Sequence, residues 1–250
     1  MFQNLNERER QVLEVLMDDP GASVTEMGRR IEVSAVTIRS TLNSLAEKGV
    51  IVRTWGGASP AFHPGILERQ RTRHEAKVRI ARHAASLVDE DDTIMVEAGT
   101  TTSLIGRFLF GKRVHVVTNS MLFVPYGRAN PALTVTVVGG SLQPATESMV
   151  GPIALRQLDQ FFVSTAFIGT DGFSLEHGTT THHVEGAEIV RRMSTLSQRT
   201  VLLADSSKYG RTGFARVLDL SDADLVISDT DLPQEAAQII RESGVELELV

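Results

Sequence analysis

At 250 residues the chain suits one large or two modest domains, with length enough to bury a core. A net charge of −6 argues against a protein that coats nucleic acid over its whole surface, although a small basic face is enough for local binding. The absence of cysteine excludes disulfides and thiolate metal sites. No apolar run approaches the roughly 18 residues of a spanning helix, and the opening MFQNLNERER lacks the layout of a secretory signal, so a soluble cytoplasmic protein with no membrane partner is expected.

The first predicted helix is capped by Asn6, with Glu9 placed to close a capping box, and carries Val12, Leu13 and Leu16 on one face up to Met17. Pro20-Gly21 should stop it. Ser23 and Glu26 form a second capping box ahead of a short helix ending near Arg30. Ile31-Glu32-Val33 makes a turn, and Ser34 caps a third helix reaching Lys48, with Gly49 as its stop. Val50–Thr54 reads as a strand and Trp55-Gly56-Gly57 as the tip of a wing. This is the layout of a winged helix-turn-helix.

At 100° per residue, Ile38, Leu42 and Leu45 of the third helix share a narrow arc that must face a core. Val36, Ser40 and Asn43 then point outward, flanked by Arg39 and Thr37. Arg39 suits guanine or phosphate, Asn43 adenine, and Val36 a thymine methyl. Ser34 and Thr37, at the helix start, suit phosphate, and Arg53 in the following strand suits the DNA backbone. The plain alternative is a small helical bundle with a solvated third helix. Residues 1–57 hold seven Lys and Arg against eight acids, which favours that alternative. The nearby Arg69, Arg71, Arg73, Lys77 and Arg79 could add basic charge or simply face solvent. Composition supports either reading.

Two prolines and a glycine between Ser59 and Gly65 suggest a hinge. From about Glu68 the pattern is helical, with Ile80, Ala84 and Leu87 at i, i+4, i+7. Strand-like and helix-like segments then alternate: TIMVEAG, a helix from Ser103 to Phe110, VHVVTNS, TVTVVGG, a helix after Pro152, FFVSTAFIGTDG, a helix near 184–198, RTVLLADSSK, DLVISD, a helix from Pro233 and VELELV. Near-continuous apolar strands alternating with helices predict an α/β fold with a mostly parallel sheet covered on both faces. The expected organisation is a reading module at 1–58, a linker at 59–73 and an α/β sensor domain at 74–250.

Open parallel sheets bind ligands outside the carboxyl ends of their strands. Those ends carry Glu97-Ala98-Gly99-Thr100-Thr101-Thr102, Thr118-Asn119-Ser120, Gly139-Gly140-Ser141, Gly169-Thr170-Asp171-Gly172 and Asp205-Ser206-Ser207-Lys208. Glycine followed by hydroxyl residues offers a phosphate exposed N–H groups and extra donors. Lys208 adds a compact positive charge, while Glu97, Asn119 and Asp171 suit sugar hydroxyls. Each such turn is ordinary loop punctuation when taken alone; five at strand ends in one domain predict a sugar-phosphate pocket. Neither G-x-x-x-x-G-K-[ST] nor G-x-G-x-x-G is present, so no nucleotide cofactor is expected. His177, His182, His183 and Glu185 read as a polar rim rather than a metal site, because adjacent histidines diverge on any regular element.

Two sets of residues carry a family resemblance. Val33-Ser34, Thr37-Ile38-Arg39, Leu42, Leu45, Gly49, Arg53 and Gly56-Gly57-Ala58 resemble the reading module of the DeoR family of bacterial regulators. Ala98–Thr102, Thr118–Ser120, Gly139-Gly140, Gly169–Gly172 and Ala204–Lys208 resemble that family's sensor domain, which is similar in fold to ribose-phosphate isomerase. The resemblance implies a homodimer or homotetramer that reads double-stranded operator DNA and binds a phosphorylated sugar effector. Ser40-Thr41 stands where the family commonly has Arg-Asp, and Glu97 where it has Asp, so neither operator sequence nor effector identity is carried over. The alternative from another class is a sugar-phosphate isomerase with an appended helical module, using Lys208 with Glu97, Asp171 or Glu185 for acid–base work. A third is a sugar-phosphate-binding protein that pairs with another protein through its helical module.

Overall fold

The computed structural model describes residues 5–19, 21–48, 50–54, 57–60 and 63–250. Pro20, Gly49, Trp55 and Gly56, assigned above to helix stops and a wing tip, lie outside these residues. The chain divides into two compact units, Met1–Glu68 and Arg69–Val250.

The first unit holds α1 (Glu7–Asp18), α2 (Val24–Arg30), α3 (Ala35–Glu47) and a hairpin of β1 (Ile51–Thr54) and β2 (Gly57–Pro60). Asn6 and Glu9 close the expected capping box at 3.0 and 2.8 Å. Ser23 closes only half of the second one. Its hydroxyl accepts the Glu26 N–H, whereas the Glu26 carboxylate turns to Arg29 and Arg30 at 2.8 and 3.2 Å. Two cations one turn along the helix compete better for that carboxylate than a single backbone N–H. The chain then turns tightly through Glu32, at φ 56°. A side chain at Gly28 would put its Cβ 2.7 Å from the Val33 carbonyl, so glycine permits the close turn. Ile38, Leu42 and Leu45 are fully buried against Val12, Leu16 and Met27, each side chain worth about 1.5–3 kcal/mol of transfer free energy.

Glu9 also bolts the two ends of this unit together. Its buried carboxylate accepts Ser44 Oγ at 2.7 Å, and both its oxygens accept Lys48 Nζ at 2.7 Å. Burial pushes its pKa up, but the bonds from Lys48, Ser44 and Asn6 outweigh that and hold it below the usual carboxylate value.

Residues 61 and 62 of the expected hinge lie outside the described residues; Ser59-Pro60 and Pro64-Gly65 on either side belong to regular elements. Ser59 and Pro60 pair in the β-hairpin, and Pro64 opens α4 (Pro64–Arg71), where its fixed φ suits a first helical turn. After Arg73 the chain enters α5 (His74–Ser86). There follow β3 (Thr93–Val96), β4 (Val114–Thr118), α6 (Val124–Ala129), β5 (Leu133–Val137), the hairpin β6 (Ser141–Gln143) and β7 (Ser148–Val150), and α7 (Pro152–Leu158). Next come β8 (Val163–Ile168), β9 (Gly172–Ser174), β10 (Gly178–Thr181), α8 (Val184–Thr195), β11 (Ser197–Leu203), β12 (Ala215–Arg216), β13 (Leu225–Ser228), α9 (Gln234–Glu242) and β14 (Leu247–Leu249).

Seven strands form a parallel sheet in the order β14-β13-β11-β8-β3-β4-β5. Alternate residues along each central strand enter different cores. Ile94, Val96, Phe167, Val201 and Leu203 pack in one cluster with α5 residues, and Met95, Ala166, Ile168 and Leu202 in the other with α7, α8 and α9 residues. Burial on both faces explains the near-continuous apolar runs. The small antiparallel sheet β12-β10-β9 and the β6–β7 hairpin were not legible as strands.

Two helix assignments are corrected. The segment expected as a helix from Ser103 to Phe110 is a six-residue 3₁₀ turn, Thr102–Arg107. The Thr102 hydroxyl bonds back to the carbonyls of Glu97 and Gly99, competing with α-helical pairing. The helix expected near 184–198 stops at Thr195, where hydroxyls of Thr195 and Ser197 take the carbonyls of Arg192 and Ser194 and β11 begins. Among the described residues no helix is long and apolar enough to cross a membrane.

Candidate functional site

On α3 the outward face is built by helical spacing alone. Val36 is 72% exposed, Arg39, Ser40 and Asn43 are exposed, and Thr37 is half-buried beside them. Ser34 caps the helix: its Oγ accepts the Thr37 N–H at 3.1 Å and pairs with the Thr37 hydroxyl at 2.9 Å. Both hydroxyls are therefore oriented by the cap. Arg53 is exposed on β1. The face is one apolar, one cationic and several amide or hydroxyl groups on a rigid helix, a composition suited to base edges.

In the second unit a cleft opens at the carboxyl ends of β3, β4, β8 and β11. The chain builds the sheet outward from β3 to β4 and β5, then returns to place β8 on the other side of β3. The sheet order reverses between β3 and β8, which is the topological switch point where open α/β sheets hold ligands. Of the expected effector residues, Glu97, Gly99, Thr100, Thr101, Thr102, Asn119, Asp171 and Lys208 line this cleft.

Their side chains do not all stand free. Thr102 is fully buried, its hydroxyl engaged with the Glu97 and Gly99 carbonyls. Asn119 ties strand ends together, accepting the Ala98 N–H at 2.9 Å and donating to the Met149 carbonyl at 3.2 Å. Asp171 accepts the Thr181 hydroxyl and the His182 N–H, both at 3.0 Å. Burial alone would raise its pKa, yet those bonds and the nearby Lys208 hold it below the usual range, so it is an anion. Glu97 behaves in the opposite way. Burial, aided by Asp171, pushes its pKa up to about 8 against the lowering effect of the Gly169 N–H and Arg69. At neutral pH it is mostly an uncharged carboxylic acid able to donate a hydrogen bond.

Four expected effector residues do not reach the cleft. Ser120 is fully buried with its hydroxyl 2.9 Å from that of Ser103. The Gly139 N–H is taken by Gln157 Oε1 at 2.7 Å, and Gly140 packs against Val150 and Ala154. Gly172 is a glycine for packing: a Cβ there would lie 2.1 Å from the Arg211 carbonyl oxygen. In each case the turn chemistry serves the fold.

The cleft also recruits residues that motif reading missed. Arg69 and Lys77 line it. The strand-end motifs point to neither, and Lys77 is only 4% exposed, not on a solvated helix face. The available signal was position: Lys77 interrupts the apolar stripe of Ala76, Ile80, Ala81 and Ala84 on α5. Thr146 and Ser148 from the β6–β7 hairpin and Thr181 from β10 add hydroxyls. His183 lines the cleft, while His182 and Glu185 are exposed and His177 sits in an exposed turn. The histidines therefore diverge, and only one meets the cleft.

Comparison with known proteins matches both units. The family model "DeoR C terminal sensor domain" matches residues 72–230, and "DeoR-like helix-turn-helix domain" matches residues 8–61. The chain is 32% identical to the HTH-type transcriptional repressor GlcR of Bacillus subtilis, over 96% of this chain and 95% of that protein. It is 30% identical to the HTH-type transcriptional regulator GlpR of Haloferax volcanii, again over 96% and 95%. Among solved structures, ribose 5-phosphate isomerase A of Methanocaldococcus jannaschii aligns over 55% of each chain with a TM-score of 0.42 at 17% identity. The chain belongs to the DeoR family, a family of DNA-binding transcriptional regulators and not of enzymes.

Proposed function

We propose that this regulator represses a carbohydrate-utilisation operon from the cytoplasm, and that a phosphorylated sugar bound in the switch-point cleft alters its operator affinity. The observation that carries the effector reading is the cleft's chemistry. Three cations, Arg69, Lys77 and Lys208, line it together with ionised Asp171, the carboxylic acid of Glu97 and the hydroxyls of Thr100, Thr101, Thr146 and Thr181. Cations suit a phosphate; the carboxyl groups and hydroxyls suit a polyol. The similarity to GlcR, which bears the name of a transcriptional repressor, supports repression as the direction of control.

On the DNA side, Arg39, Val36, Ser40 and Asn43 read base edges, and Ser34, Thr37 and Arg53 hold phosphates. Residues 1–58 serve as the reader, 59–73 as the linker and 74–250 as the sensor. A homodimer or homotetramer presents two readers to paired half-sites.

The test is fluorescence-anisotropy binding of the full chain to a labelled fragment from upstream of its own gene, against a scrambled fragment at fixed salt. Selective, salt-sensitive binding to the native fragment supports the reading; equal binding to both fragments refutes it for that operator.

A further inference from the structure

The segment entering the sensor unit carries Arg69, Arg73 and Lys77 at i, i+4 and i+8, and each is engaged with the cleft or with a loop that forms it. The last carbonyls of a helix have no partner within the helix. At the end of α4 the Arg69 carbonyl is met by the Lys77 ammonium, and the Gln70 carbonyl by His74 Nδ1 at 3.2 Å. Lys77 thus caps α4 from a position one helix further along the chain.

Between α4 and α5, Arg73 adopts φ 52°, a left-handed conformation that is strained for a non-glycine residue. It is held there by Asp229 at 2.7 Å, Asp231 at 2.6 Å and Ser206 Oγ at 2.9 Å. Ser206 belongs to the same short turn as Lys208, which lines the cleft. The bend is therefore pinned to the effector loop.

Lys77 is a buried cation whose ammonium, among the described residues, donates only to the Arg69 carbonyl. Burial, together with the positive charges of Lys208, Arg69 and Arg73, pushes its pKa down to about 8, with only Asp205 opposing. A buried ammonium crowded by other cations, facing an open cleft, is a group to which an anion would be strongly stabilising.

We propose that Arg69 and Lys77 form an anion-reading wall of the cleft, and that a bound phosphate monoester draws the Lys77 ammonium off the Arg69 carbonyl, uncapping the last turn of α4. The inference rests on the sugar-phosphate reading of the cleft and deepens it by naming how occupancy reaches the segment that leads to the reading unit. Arg69 takes part from the same turn. Its Nη2 donates to the Ala145 carbonyl at 2.5 Å and its Nη1 lies 4.0 Å from Asp171, so its head group is already at the rim where a phosphate would sit.

The test uses the full chain with inorganic phosphate as the probe. Calorimetric titration is run on wild type, Lys77→Met, Arg69→Gln and Lys208→Ala, with hydrogen exchange followed over residues 64–73. Wild type should bind phosphate, and Lys77→Met and Arg69→Gln should each bind it about tenfold more weakly, the scale of losing one charge-assisted hydrogen bond. In wild type, phosphate should speed exchange in the last turn of α4. In Lys77→Met that turn should exchange fast with or without phosphate. If Lys77→Met fails to fold, Arg69→Gln, at a more exposed position, decides the affinity question. Wild-type affinity in both variants, with binding lost only in Lys208→Ala, overturns this inference and leaves the cleft reading standing. Phosphate binding that leaves α4 exchange unchanged in wild type overturns the uncapping step. No binding by wild type sinks the cleft reading and this inference together.

Discussion

The Glu97 carboxyl group accepts the Gly169 N–H at 3.2 Å, joining the ends of β3 and β8 where the strand order reverses. The bond holds a half-buried acid in the lining of the cleft, near the Asp171 carboxylate. Its pKa near 8 lies above the ordinary value of 4.5. An acid whose pKa is raised by folding contributes stability that is fully present below the unfolded value and is lost as pH rises through the folded one. The window here is about pH 4.5 to 8. Glu97→Gln should match wild type near pH 4 and exceed it by about 2–4 kcal/mol at pH 9. Urea denaturation at the two pH values checks this. Lys77 titrates in the same upper range, so the difference between variant and wild type is the quantity to compare. A difference independent of pH would place Glu97 in an ordinary, solvated setting.

Arg39 stands exposed on α3 with no described partner in the chain, flanking the face that lies opposite buried Ile38, Leu42 and Leu45. Arg39→Ala should weaken specific DNA binding by about 1–3 kcal/mol if it reads a base edge, with little change in stability. An equal loss on specific and scrambled fragments would assign it to phosphate; no loss would remove it from the interface. Anisotropy titration of both fragments separates these outcomes.

Glu9 and Lys48 are paired at 2.7 Å, with Ser44 and Asn6 completing the carboxylate's partners. Glu9→Ala removes the buried carboxylate that gathers Lys48, Ser44 and the Asn6 N–H and should destabilise the first unit by about 1–3 kcal/mol. The loss should appear as faster native-state hydrogen exchange in α1 and α3, with the central strands of the large sheet unaffected. Because the folded carboxylate is held below its ordinary pKa, the wild-type contribution is present above about pH 4.5 and fades as pH falls through the folded value.

Lys208 lies on the turn that carries Ser206, the Arg73 partner. Lys208→Ala should remove the effector response while leaving operator binding intact, read by DNA titration with and without sugar phosphates. Loss of the folded sensor unit instead would make Lys208 a structural residue.

Much of this architecture was legible where one local rule dominates. Asn6 and Ser34 cap as their side chains require, and Ile38, Leu42 and Leu45 face the core because helical spacing admits no other arrangement. The parallel sheet followed from apolar strands alternating with helices. The cleft was legible only in part, because a strand-end glycine serves a close backbone approach as readily as a ligand. Gly172 meets the Arg211 carbonyl and Gly139 meets Gln157, contacts that depend on chain segments distant in sequence. Lys77 was missed for the converse reason. A lysine on an amphipathic helix reads as solvated until the tertiary fold turns it into the cleft.

The most direct test of the central claim is operator affinity of the full chain, measured by anisotropy at fixed salt while pentose and hexose phosphates are titrated in turn. At least one sugar phosphate should shift affinity about 5–150-fold, the range of ordinary allosteric coupling, and the unphosphorylated sugar should not. Selective operator binding that no sugar phosphate alters would contradict that claim.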